Sequence, residues 1–147
     1  MSVNYLLDTN IISHMMRNTE GTASLYLEKL INSDLDHKFF TSIVVQSELL
    51  FGLAKRPSAK LQQAYERQMA GLMVMPIDDA VSHQYAAIRL DLSQAGTPIG
   101  PNDLFIAAHA LALDCTLVTD NEDEFRRVAG LKVENWSKTR FTNNPTP

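Results

Sequence analysis

Apolar residues in this chain come in short runs divided by polar stretches, and the spacing inside each run separates strands from helices. Tyr5-Leu6-Leu7 stops at Asp8 and reads as a buried strand ending on a carboxylate. Residues 11–17 read as a short helix, and Gly21 separates it from a second over 22–32, where Leu27, Leu30 and Ile31 form a core-facing stripe. After a polar connection, Phe39-Phe40-Thr41 predicts a strand, with Ser42 as the N-cap of a helix over 43–56. Pro57 ends that helix; a long helix over 58–72 and a strand over 73–77 follow. Asp78 is read as the cap of a helix over 80–95, Asp79 as a complement to its dipole, and His83 as a surface residue. The loop Gly96-Thr97-Pro98-Ile99-Gly100-Pro101 breaks the chain and leads Asn102 and Asp103 into a helix reaching Leu113. A strand over 115–119, a helix over 123–128 and a strand over 131–136 complete the pattern. This alternation predicts one α/β domain over residues 1–137, with a central, mainly parallel sheet flanked by helices on both faces. The polar, proline-containing tail over 138–147 is expected to be loose.

Against that frame the acidic residues stand out. Asp8 and Asp120 each follow an apolar strand, and Asp103 opens a helix whose buried stripe continues through Ile106, Ala107, Ala110 and Leu111. In a parallel α/β sheet those points face one edge, where ligands bind. Glu48 lies within the apolar stripe Val45, Leu49, Gly52 and Leu53, a costly position unless the carboxylate is paired or bound to a metal. Plainer readings stand beside these: capping for Asp8 and Asp103, an edge salt bridge for Glu48. Asn121 with Glu124 three residues on fits a capping box, and His109 falls off the Asp103 face, so it is read as structural or interfacial. Four converging carboxylates would repel one another, and a divalent cation would relieve that. An all-oxygen donor set favours Mg²⁺ or Mn²⁺ over Zn²⁺, with chemistry suited to phosphodiester hydrolysis.

Composition narrows the classes further. At 45% hydrophobic and 20% charged residues the chain is of ordinary globular type, and its net charge of −4 argues against holding nucleic acid by overall positive charge. Basic residues bunch only locally, as Lys55, Arg56 and Lys60, and as Arg126 and Arg127. The single cysteine, Cys115, rules out an internal disulfide and reads as a buried small hydrophobe in a reducing compartment. With no apolar run of membrane-spanning length and no secretion-signal layout at the first residues, a cytoplasmic location is expected.

The ordered pieces Leu7-Asp8-Thr9-Asn10, Thr41-Ser42, Ser47-Glu48-Leu49, Gly96 to Asp103, Ile106-Ala107-Ala108-His109-Ala110, Thr119-Asp120-Asn121, Phe125 and Glu134-Asn135-Trp136 resemble the PIN-domain ribonucleases. More narrowly they are similar to the VapC toxins of bacterial type II toxin–antitoxin pairs. The likeness runs from about Tyr5 to Trp136. It implies the PIN-domain fold and Mg²⁺-dependent endoribonuclease activity, with Mn²⁺ as a substitute. It makes Asp8 and Asp103 the principal metal ligands, with Glu48 and Asp120 completing the catalytic pocket. Thr9, Thr119 and Asn10 would hydrogen-bond the carboxylates. The glycine-proline loop most resembles the branch that cuts initiator tRNA in its anticodon stem-loop. The resemblance also implies a homodimer, consistent with the over-apolar helix 43–56, and an antitoxin partner through which alone the toxin touches DNA. A phosphatase of the haloacid-dehalogenase type would need an aspartate where Asn10 stands. A receiver domain would need an early acidic pair and a late lysine, and a non-catalytic RNA- or antitoxin-binding PIN domain would be expected to lack one of the acids.

Overall fold

The computed structural model describes residues 2–138; the expectation for the remaining tail lies outside them. Five strands, β1 (Asn4–Leu7), β2 (Lys38–Ser42), β3 (Met73–Met75), β4 (Thr116–Val118) and β5 (Val133–Glu134), form one sheet in the order β3-β2-β1-β4-β5. Every pairing is parallel. The central strand is β1, whose Leu6 and Leu7 are fully buried, as expected where helices flank a parallel sheet. Because β1 and β4 are adjacent and parallel, their carboxyl ends, and with them Asp8 and Asp120, open on the same edge.

Seven helices connect and flank the sheet: α1 (Thr9–Arg17), α2 (Thr22–Ile31), α3 (Ile43–Lys55), α4 (Ala59–Ala70), α5 (Asp79–Gln94), α6 (Pro101–Ala112) and α7 (Glu122–Phe125). Two starts follow the predicted caps, with Ser42 accepting from the Val44 amide and Asp78 from Val81, while Ser58, read as the first helical residue, instead caps α4 by accepting from Leu61. The turn after α5 is a Schellman motif, with Gly96 at φ 74° donating to Ser93 and Thr97 donating to Leu92. The same motif ends α6, where Asp114 takes φ 54° and Cys115 donates to Ala110, aiming the chain straight into β4. Cys115 and His109 are buried; the His109 ring meets the Ser42 hydroxyl at 2.9 Å, and burial lowers its pKa. His109 is structural, and His83 is on the surface, where it faces Asp79.

Several boundaries differ from the sequence reading. Ile31 is the last residue of α2 and is 60% exposed, so only Leu27 and Leu30 of that stripe pack on the core. The strand predicted over 73–77 ends at Met75 because Pro76 has no N–H for the ladder. The helix predicted over 123–128 is the single turn α7, since Arg127 and Val128 bond back to the third preceding residue rather than the fourth. Strand β5 is two residues long and pairs only with the three-residue β4. Beyond it Trp136 is buried against Tyr5 and Tyr26, with ring centroids 5.2 and 5.3 Å away, closing the core at that side. No described helix is long and apolar enough to cross a membrane.

Candidate active site

Asp8 sits where β1 becomes α1. Its backbone N–H extends the ladder by bonding Val118 at 2.9 Å, and its Oδ1 accepts the Thr9 N–H at 2.8 Å, so it does cap the helix. Capping uses one oxygen only. The other, Oδ2, accepts from Thr119 Oγ1 at 2.9 Å and from Asn10 Nδ2 at 3.4 Å. Thr119 in turn accepts from the Asn121 N–H, while Asn10 Oδ1 holds the Asp120 N–H at 3.1 Å. Asn10, Thr9 and Thr119 therefore lock the two strand ends together and fix the Asp8 carboxylate. That carboxyl is only 4% exposed, and burial, with Glu48 and Asp120 nearby, pushes its pKa up to about 6 against the lowering pull of its hydrogen bonds.

Asp103 arrives from the other side, in the first turn of α6. Gly100 caps that helix without a side chain, and Pro101 supplies the preset φ of its first position. Asn102 does not cap it; its amide reaches across to Glu48 Oε2 at 3.2 Å. The half-buried Asp103 carboxylate accepts no hydrogen bond among the described residues. Burial, then Asp8, Glu124 and Glu48, raise its pKa to about 6 as well. Glu48 leaves the apolar stripe of α3 toward this edge, half-buried, with Thr9 Oγ1 donating to Oε1 at 2.5 Å. Asp120, more exposed, lies 3.3 Å from His14 Nε2.

The four predicted acids thus share one edge, where Glu48 and Asp120 act on Asp8, and Asp8 and Glu48 act on Asp103. The structure adds a fifth, Glu124. Its carboxylate accepts the Asn121 side-chain amide, and the Asn121 N–H goes to Thr119, so this pair is no capping box. Glu124 instead faces Asp103. Its placement had one signal, an acid four residues beyond Asp120, which the capping reading absorbed.

Among the described residues no group of three His, Cys, Asp or Glu side chains closes around a single point. The acids here therefore form no closed cage of protein ligands among the described residues. A hard divalent cation that keeps several waters and is held through one or two carboxylates suits donors of this kind. An uncompensated Asp103 opposite a buried Asp8, both reluctant to ionise without a cation, fits that donor set.

The PIN domain family matches residues 5–131. Ribonuclease VapC2 of Rickettsia felis is 33% identical over 135 residues, covering 91% of this chain and 98% of that protein. The tRNA(fMet)-specific endonuclease VapC of Shigella flexneri is 34% identical over 134 residues, covering 90% and 98%. Among solved structures, the VapBC2 complex of Rickettsia felis bound to a promoter DNA fragment matches with a TM-score of 0.84 and 32% identity, over 91% of this chain and 99% of that one. With a five-stranded parallel sheet, an acidic edge where β1 and β4 end, and relatives of this closeness over nearly their full length, the chain belongs to the PIN-domain family and, within it, to the VapC nucleases.

Proposed function

We propose that this chain is the toxin of a bacterial toxin–antitoxin pair, a Mg²⁺-dependent endoribonuclease that cuts tRNA. The observation that carries the reading is the acidic edge itself, where Asp8 is buried at the end of β1 and Asp103, half-buried at the start of α6, is raised in pKa by burial and by the Asp8 charge. When bound there, a divalent cation would neutralise the acids, hold the scissile phosphate and acidify an attacking water. Asp8 and Asp103 are the residues that would hold it. Glu48, its oxygens fixed by Thr9 and Asn102, orients the water for in-line attack on phosphorus. Asp120, placed through Asn10 and His14, completes the pocket. The P–O3′ bond breaks, leaving a 5′-phosphate and a 3′-hydroxyl.

Relatives crystallised as VapBC complexes, one on promoter DNA, support an antitoxin partner and contact with DNA through that partner. The exposed Leu50 and Phe51 on α3, with the Lys55 ammonium 5.3 Å over the Phe51 ring, support a homodimer through that apolar face. The relative from Shigella flexneri supports initiator tRNA as substrate, and a cytoplasmic location follows from that substrate. The test is incubation of purified protein with total tRNA, with Mg²⁺, with EDTA, and beside Asp8→Asn. Discrete cutting only by the wild type with Mg²⁺ is expected; equal cutting in every lane, or none, contradicts the proposal.

A further inference from the structure

A groove of about 320 Å³, a size typical of ligand-binding clefts, leaves the acidic edge between α1, α3 and the start of α4. Thr9 and Glu48 form its near end, and Arg17 and Arg56 its far end. Each arginine lies eight residues beyond its near-end counterpart on the same run of chain, so at the helical rise both stand about 12 Å further along. Met16, Leu49, Leu53 and Leu61 line the stretch between. Neither guanidinium has a carboxylate or other hydrogen-bond partner among the described residues, although the chain is acidic overall. Both stand at helix carboxyl ends, where a cation complements the dipole, but that alone gives no reason for two to meet in one groove.

Gly52 is the second observation. It lies inside α3, where glycine weakens a helix by about 1 kcal/mol relative to alanine. A Cβ there would meet nothing within 4 Å, so no packing constraint accounts for it. It lines the groove and keeps it open.

We infer that this groove is the track of the RNA strand, with Arg17 and Arg56 gripping a backbone phosphate beyond the scissile one and Gly52 leaving room for the nucleotide between. The inference rests on the nuclease reading above. It answers a physical need: a carboxylate cluster repels phosphate, and uncompensated cations in a cleft that opens on that cluster are groups that offset this. A single strand fits better than an acidic protein segment, because the near end is the hydrolytic edge itself.

The test uses Asp103→Asn to silence cleavage, with Arg17→Gln and Arg56→Gln added singly and together, and measures binding of labelled single-stranded RNA over a potassium chloride series. The slope of log Kobs against log salt is expected to fall by about 0.7 for each arginine removed. Arg17→Lys, which keeps the charge, restores the slope, and Lys29→Gln on α2, outside the groove, leaves it unchanged. Gly52→Met weakens RNA binding without lowering the melting temperature. An unchanged slope in the double variant, or an equal fall with Lys29→Gln, overturns the inference. So does a double variant that binds RNA normally but no longer binds its antitoxin, which would give the groove to a protein segment. Wild-type cleavage with Mg²⁺, run in parallel, separates the two ideas: cutting with a wild-type KM in the double arginine variant defeats only the groove, whereas no cutting by the wild type defeats the nuclease reading.

Discussion

Asp8→Asn removes a charge from a site that resists it while keeping the outline of the side chain. The folded state holds this carboxyl at about 6 against its ordinary 3.8. At about 1.36 kcal/mol per pH unit, ionising it in the fold costs about 3 kcal/mol. The substitution has its own cost. If the asparagine oxygen keeps the Thr9 N–H, its NH₂ meets Thr119 Oγ1, which already accepts from Asn121 and Asn10. The two hydrogen bonds into Oδ2, from Thr119 and the longer one from Asn10, are then lost, together worth about 1–2 kcal/mol. The balance is a gain of about 1–2 kcal/mol without metal, or about 2–8 °C in melting temperature for a chain of this size. The sign follows from linkage. Between about pH 4 and pH 6 the folded wild type binds more protons than the unfolded chain, so its stability falls as pH rises through that window and then levels off. The variant lacks the Asp8 share of that fall while Asp103 keeps its own, so its advantage over the wild type is complete above about pH 6.5 and disappears toward about pH 4. Thermal melts in EDTA across this range, read by circular dichroism or calorimetry, measure it directly. A variant that melts below the wild type at about pH 7.5, or a difference indifferent to pH, would refute the reasoning.

Three further outcomes follow from the same contacts. Thr9→Val takes the hydroxyl from Glu48 Oε1 and is expected to lower kcat about 10-fold or more with KM little changed, whereas Thr9→Ser retains activity in a steady-state cleavage assay. Glu124→Gln removes a charge that raises the Asp103 pKa, so the acidic limb of the pH–activity profile should move to lower pH. Glu122 is held down to about 2 by Lys138, Arg126 and Asn135; Glu122→Ala should cost about 2 kcal/mol in denaturant unfolding near neutrality. In the wild type that contribution is present above the ordinary carboxylate pKa of 4.5 and is lost as pH falls toward 2.

The acidic edge was legible wherever a carboxylate broke an apolar pattern. Asp8 and Asp120 end buried strands, and Glu48 interrupts a helical stripe, so sheet topology alone brings them together. Capping does not use up Asp8, because a carboxylate has two oxygens and only one of them takes the helix N–H. Asn102 was harder, because it has a local backbone partner available and only the three-dimensional position of the distant Glu48 decides between them; at Asn121 the spacing to Glu124 was right but the Thr119 hydroxyl takes the N–H that a capping box needs. Arg17 and Arg56 gave no periodic signal at all, since a charge at a helix end is unremarkable until a second helix places another beside it. Ile31 shows the limit of the stripe argument, because periodicity gives a face but not where the covering element ends.

The central claim is that Asp8 and Asp103 share one divalent cation, and calorimetric titration of Mg²⁺ into the purified protein tests it most directly. Run in buffers of different ionisation enthalpy, it also counts the protons released. Binding with release of about one proton at about pH 6, falling toward none at about pH 8, is the predicted result, because both carboxyls are half-protonated at the lower pH. Asp103→Asn should weaken binding at least about 10-fold and remove roughly half of that proton release. Undiminished binding by Asp8→Asn and Asp103→Asn alike, or binding with no proton release at the lower pH, would contradict it.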